Sequence, residues 1–194
     1  MSEGKRRVDN IILCGLTGCG KTSVGKHLAY LCGLGFTDTD KMIEEKEKQC
    51  IINIFKSKGE SYFRQKEKEC IDNLTGIKKH VISVGSGAVE HSMETMKKLG
   101  YCIWLDVPVN LITQRFIQDQ NLLAQKPLLV SSSEDQTNDP QSLKSKLTLK
   151  LEELLKKRLP YYNQADLHLQ ESFYTSETAS RSIYEYIRDE RIYC

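Results

Sequence analysis

The sequence has no Cys-x-x-Cys pair among its seven cysteines, no apolar run long enough to cross a membrane, no excess of either charge and no internal repeat. Each absence excludes something. An odd number of cysteines without close pairs argues against a secreted disulfide framework and against a zinc site. Cys14, Cys70 and Cys102 sit within apolar runs, where a free thiol behaves as a small hydrophobe. The polar N-terminus and the brevity of Ile11-Ile12-Leu13-Cys14 lead us to expect neither a signal peptide nor a membrane span. A reducing, cytoplasmic setting is therefore expected, with no membrane partner. Lys plus Arg number 28 against 26 Asp plus Glu, a balance that disfavours a dedicated nucleic-acid binder. Lys5-Arg6-Arg7 reads as part of a solvated, flexible tail over residues 1–9 rather than as a phosphate-binding arm. An Asn-Lys-x-Asp guanine reader is also missing, which disfavours a GTPase.

What is present reads as one α/β domain over residues 1–194, since this length buries one good core and not two. Short apolar segments alternate with helical ones, the pattern of a parallel sheet covered on both faces. Strands are expected at Asn10–Cys14, Gly35–Thr37, Val81–Val84, Tyr101–Leu105 and Leu167–Leu169. A helix is expected over Lys21–Cys32, with Val24, Leu28 and Leu31 on one face. Two helical stretches follow Asp40, one carrying Ile51, Ile54 and Phe55, the other Phe63, Cys70, Ile71 and Leu74. Leu143, Leu147, Leu151 and Leu155 mark a long helix, and Ala179, Ile183 and Ile187 a closing one; such stripes are core positions. Ser131–Gln141 has no apolar residue and reads as a mobile surface loop.

Gly15-Leu-Thr-Gly-Cys-Gly20-Lys21-Thr22 matches G-x-x-x-x-G-K-[ST] without a mismatch, between a strand and a helix. The chemistry needs those residues at that spacing. Glycines let the backbone turn so that its N–H groups face phosphate oxygens, and the following helix adds positive potential. Lys21 is placed to bridge the β- and γ-phosphates, and the Thr22 hydroxyl to hold Mg²⁺. The motif fixes nucleotide binding and leaves the reaction open.

Asp38 and Asp40 fall at the carboxyl end of the second strand, where α/β proteins place ligands. A carboxylate there suits Mg²⁺ or an attacking hydroxyl, and Asp40 equally suits an N-cap for a helix beginning near Lys41. Arg64 stands within one helical turn of Glu60 and Glu67, which fits either surface decoration or an arginine held in place for an anion. Arg158 reads as the end of a Lys/Arg-rich helix, with Pro160 just beyond.

Beyond Asp40 the chain runs Asp40-x-x-Ile43-Glu44, then Ile51-x-x-Ile54-Phe55-x-x-x-Gly59-Glu60-x-x-Phe63-Arg64-x-x-Glu67. With Gly15-Leu16-x-Gly18-x-Gly20-Lys21-Thr22-Ser23-Val24-Gly25, Gly85-Ser86-Gly87-Ala88, Lys126-Pro127-Leu128-Leu129 and Arg158-Leu-Pro160-Tyr-Tyr162, this resembles the shikimate kinase family from about Asn10 to Tyr162. The resemblance implies a P-loop kinase fold: a five-stranded parallel sheet of order 2-3-1-4-5 with helices on both faces, a helical substrate-binding region over about 40–80, and a lid with a polar insertion over about 115–141. It implies phosphorylation of the 3-hydroxyl of shikimate by ATP with Mg²⁺, a step towards aromatic amino acids, by a monomer.

Residue by residue, the resemblance puts Gly18, Cys19, Gly20, Lys21, Thr22 and Ser23 around the ATP phosphates, with Arg115 and Lys126 also on the nucleotide. Thr22 and Asp38 serve the metal. Asp40 meets the substrate hydroxyl, and Arg64, Arg158 and the turn Gly85, Ser86, Gly87 hold the shikimate. Lys21, Asp40 and Lys126 form the catalytic set. The chain departs from the family pattern at four places. Ser86 replaces a glycine, Lys126 replaces a lid arginine, Lys48-Gln49-Cys50 replaces Gly-x-Ser, and Ser131–Gln141 adds about a dozen residues. Two other readings stay open: a kinase of another small hydroxylated acid such as gluconate, and a non-catalytic nucleotide-binding regulatory module.

Overall fold

The computed structural model describes residues 6–129, 140–170 and 175–193. In chain order the elements are β1 (Arg6–Arg7), β2 (Ile11–Cys14), α1 (Lys21–Cys32), β3 (Gly35–Asp38), α2 (Thr39–Glu47), α3 (Ile51–Asp72), β4 (His80–Ser83), α4 (Val89–Leu99), β5 (Tyr101–Asp106), α5 (Val109–Gln118), α6 (Gln120–Ala124), α7 (Pro140–Tyr162), β6 (Leu167–Gln170), α8 (Ser176–Asp189) and β7 (Ile192–Tyr193). Five strands form one parallel sheet in the order β3-β4-β2-β5-β6. Numbered among themselves, these strands lie 2-3-1-4-5.

All four residues of the central strand β2 are at most 1% exposed. Successive side chains on a strand point to opposite faces, so both faces of the sheet are covered. Helix α1 packs on α8, while α4 and α5 pack on α7. At the amino ends of the strands Asn10 is fully buried: its Nδ2 donates to Ile77 O and Leu99 O, and its Oδ1 accepts from His80 N. In the last turns of the sheet Trp104 is stacked between Tyr162 and His168, with ring centroids 5.2 and 4.0 Å away. His168 Nε2 in turn lies 2.7 Å from Asp106 Oδ2.

Several expectations are corrected. Leu31 is 36% exposed, because the buried face of α1 runs through Val24, Gly25, Leu28 and Ala29. Gly25 is required there, since a Cβ would lie 2.6 Å from the Phe36 ring. Arg158 does not end its helix: α7 continues through Pro160 to Tyr162. Arg6–Arg7, expected in a flexible tail, pair in parallel with Ile192–Tyr193. Of the expected loop Ser131–Gln141, residues 131–139 lie outside the described residues, and Pro140 and Gln141 open α7.

The departure at Lys48-Gln49-Cys50 has a local cost and a local remedy. Lys48 takes the left-handed conformation at the end of α2, with φ 52° and ψ 32°, which costs a non-glycine residue roughly 1–2 kcal/mol. Cys50 begins α3 without a side-chain cap, and Glu44 Oε1 accepts from Ile51 N at 3.2 Å in its place.

Candidate active site

The loop after β2 is shaped by the glycines at its ends. Gly20 has φ 101° and caps α1 without a side chain, a conformation open to glycine and strained for any other residue. Lys21 Nζ folds back over the loop, donating to Gly15 O at 2.9 Å and Leu16 O at 3.0 Å, with Cys19 Sγ at 3.6 Å. Arg115 reaches the outer side of the same loop from α5, its Nη1 donating to Gly18 O and Cys19 O, both at 3.1 Å. Thr22 Oγ1 donates to Asp38 Oδ2 at 2.6 Å, so a hydroxyl and a carboxylate stand together beside the cradle. Among the described residues no group of three or more His, Cys, Asp or Glu makes a protein-only metal cage. Two oxygen ligands beside a phosphate cradle fit Mg²⁺, which keeps waters and phosphates in its shell. A cleft of about 410 Å³ runs over these residues to Asp40, Ser86 and Lys126 at one end and to Leu169, Thr175 and Ala179 at the other.

Asp38, and not Asp40, caps α2: its Oδ1 accepts from Asp40 N and Lys41 N. Asp40 is thereby turned into the first turn of the helix, where its buried Oδ1 has no hydrogen-bond partner among the described residues. Burial raises the Asp40 pKa, and Asp38 raises it further, while Lys126 and Lys21 pull it down. Lys126 responds in the opposite sense, with burial lowering its pKa against the pull of Asp40. These two residues and Ser86 also line a second recess with Phe55, Phe63, Arg64 and Arg158.

Both arginines are held by carboxylates. Glu60 Oε1 accepts from Arg64 Nε and Nη2, and Glu67 Oε2 accepts from Nη1 at 2.7 Å. Arg158 is 1% exposed, and its Nε donates to Glu90 Oε1 at 2.8 Å. The turn Gly85–Gly87 closes against the same groups. Gly85 N donates to Thr39 Oγ1 at 3.0 Å, and Tyr162 Oη donates to Ser86 O at 3.1 Å. A Cβ on Gly85 would overlap Glu67 Oε1 and lie 2.8 Å from Asp40 Oδ1; one on Gly87 would overlap the Arg64 guanidinium. Ser86, between them, puts its hydroxyl 3.5 Å from Arg158 Nη1.

Glu67 is fully buried, with Oε1 unpartnered among the described residues. Burial pushes its pKa up to about 7, with Arg64 pulling down and Asp40 pushing up. A carboxyl raised from 4.5 to about 7 favours the native state below pH ~4.5 and loses that contribution as pH rises through about 7. Thermal melts from pH 5 to 8 should therefore show Glu67→Gln gaining on the wild type, by about 3 kcal/mol at most. A constant difference across that window would remove Glu67 as the titrating group.

Of the residues expected at the site, Gly18 to Ser23, Asp38, Asp40, Arg115 and Lys126 line the cleft, Arg64, Ser86 and Arg158 line the recess beside it, and Gly85 and Gly87 flank Ser86 against Glu67, Asp40 and Arg64. Glu90 and Thr39 were missed. An acidic residue in the first turn of a helix reads as a favourable dipole partner, which conceals that Glu90 serves Arg158. Leu169, Thr175 and Ala179 also line the cleft, and nothing in their spacing announces it.

A phosphate loop at the carboxyl edge of a 2-3-1-4-5 sheet, with a two-helix arm facing it, defines the P-loop kinase class. Comparison with known proteins goes one step further. The shikimate kinase family profile matches residues 17–189. Shikimate kinase of Persephonella marina is 36% identical over 162 residues, 82% of this chain and 87% of its own. That of Thermodesulfovibrio yellowstonii is 37% identical over 182 residues, 92% of this chain and 95% of its own. Among solved structures, shikimate kinase from Acinetobacter baumannii in complex with shikimate superposes with a TM-score of 0.80 at 33% identity, covering 95% of each chain. The chain belongs to the shikimate kinase family.

Proposed function

We propose that this chain transfers the γ-phosphoryl group of MgATP to the 3-hydroxyl of shikimate, giving shikimate 3-phosphate and ADP. The observation that carries the reading is the recess where Arg64 and Arg158 stand with Asp40 and Lys126, continuous with the phosphate cradle. Two arginines suit a carboxylate, because their planar donors pair with it two-fold. Asp40, which lines both the cleft and the recess, accepts the hydrogen bond of the acceptor hydroxyl and draws its proton as the new O–P bond forms. Lys21 leaves the loop carbonyls for the β- and γ-phosphate oxygens, and Lys126 adds charge from the opposite side. Mg²⁺, when bound by Thr22 and Asp38, neutralises phosphate charge. Catalysis by this chain is then chiefly positioning and charge stabilisation. The apolar end of the cleft, at Leu169 and Ala179, suits the nucleotide base.

A monomer is proposed as the working unit. Cys14, Cys19, Cys50, Cys70 and Cys102 carry free thiols, in keeping with a reducing cytoplasm. Among the described residues no helix is long and apolar enough to cross a membrane. A coupled assay with ATP, run with shikimate and with gluconate, tests the reading; turnover with gluconate alone, or with neither, overturns it.

Lys126 gives a separate test. Lys126→Ala should lower turnover at saturating ATP by roughly 10²-fold, the scale for removing one placed electrostatic group. Lys126→Arg should keep turnover within a fewfold, since it restores the arginine usual in the family. An arginine variant as poor as the alanine one would place Lys126 outside the phosphate contacts.

A further inference from the structure

The reading above gives Arg158 a carboxylate to hold and leaves open which edge of the guanidinium does so. An arginine offers a carboxylate either its side edge, Nε with one terminal nitrogen, or its end edge, the two terminal nitrogens. Nε carries a single hydrogen, and here Glu90 Oε1 takes it at 2.8 Å. Ser86 Oγ reaches Nη1 at 3.5 Å and the Tyr162 hydroxyl lies beside the guanidinium; both are neutral, and among the described residues no carboxylate is bonded to the terminal nitrogens. Glu90 is itself anchored: Lys157 Nζ lies 2.7 Å from its Oε2, and its own N–H donates to Gly87 O at 3.0 Å. Arg64 is held by Glu60 and Glu67 from its own helix, within one turn. Arg158 is held across 68 positions of sequence by the helix that starts from the Gly85–Gly87 turn.

We infer that Glu90 is a positioning residue of the acid clamp: its carboxylate closes the side edge of Arg158 and ties that arginine to the Gly85–Gly87 turn, so that the substrate carboxylate is met end-on by the two terminal nitrogens, with the Ser86 hydroxyl beside them. This rests on shikimate being the substrate. A rival account is that Glu90 merely pairs with Lys157. Its negative charge would then repel an anionic substrate, and its removal would tighten binding.

The test compares wild type, Glu90→Gln, Glu90→Ala, Arg158→Lys and the double variant Glu90→Ala/Arg158→Lys, with shikimate and with its methyl ester. Glu90→Ala is expected to raise KM for shikimate about tenfold, on the scale of one hydrogen bond to a charged group, with kcat and KM for ATP within about twofold. Glu90→Gln keeps an acceptor at the same reach and should cost about threefold. It also serves if the alanine variant folds poorly. Preference for the acid over the ester should fall about tenfold in Glu90→Ala, and Glu90→Ala should add less than about twofold in the Arg158→Lys background. An unchanged or lower KM for shikimate in both Glu90 variants overturns the inference, as does an undiminished Glu90→Ala effect once Arg158 is lysine. If the wild type does not turn over shikimate, the functional reading fails and takes the inference with it. Normal wild-type turnover with indifferent Glu90 variants defeats the inference alone.

Discussion

Asp40→Asn is expected to lose roughly 10²–10³-fold in kcat, the usual loss for one preorganised electrostatic group, while melting no earlier than the wild type. The two halves share one cause. Burial raises the Asp40 pKa, and Asp38 adds to it, so the native state resists the ionised form. Oδ1 is buried beside the Gly85 turn, without a partner among the described residues. An unpartnered buried carboxylate costs stability above its pKa, and a neutral amide of the same shape does not. The same carboxylate also lines the cleft and the recess, so the stability cost and the activity sit on one residue. Melting curves at pH 8 and initial rates with saturating ATP and shikimate read both halves. A rate loss below about tenfold would move the acceptor hydroxyl away from Asp40.

Lys21→Ala should fall by a comparable ~10²–10³-fold in turnover, and nucleotide binding should weaken with it. Lys21 Nζ rests on Gly15 O and Leu16 O, at the entrance of the loop, and lines the cleft with Arg115 and Lys126. No other described cation is bonded to those two carbonyls. Arg115 Nη1 is committed to Gly18 O and Cys19 O, and Lys126 faces Asp40, so neither can replace the missing ammonium. Calorimetric titration with a non-hydrolysable ATP analogue, alongside turnover, checks both parts. Lys21→Ala retaining more than a tenth of wild-type turnover would contradict the assigned role.

The phosphate loop was legible because its chemistry is local: glycine spacing, Lys21 and the Thr22 hydroxyl within eight residues, between a strand and a helix. The Lys21–Cys32 helix and all five strands of the main sheet were likewise readable from pattern, whereas their order came only through family resemblance. What failed was mostly a matter of which of two neighbours does a job. Asp38 and Asp40 are equally good caps on paper, and the choice rests on the extended backbone of Asp38, φ −122° and ψ 116°. Pro160 suggested a helix end, yet Tyr162 Oη is needed on Ser86 O, and packing carries α7 past the proline. The Glu90–Arg158 pair was invisible, since no local pattern links residues 68 apart.

Trp104 is the chain's one tryptophan, and its position makes the protein's red-edge emission a single-site signal. Tyr162 covers one side of the indole and itself reaches the Ser86 carbonyl. His168 covers the other, tied to Asp106 at the sheet's edge. A shift of α7 that moves Arg158 must also move Tyr162, only one turn further along. A displacement of α7 by occupancy of the acid site would therefore register in the fluorescence of this one indole, without any label.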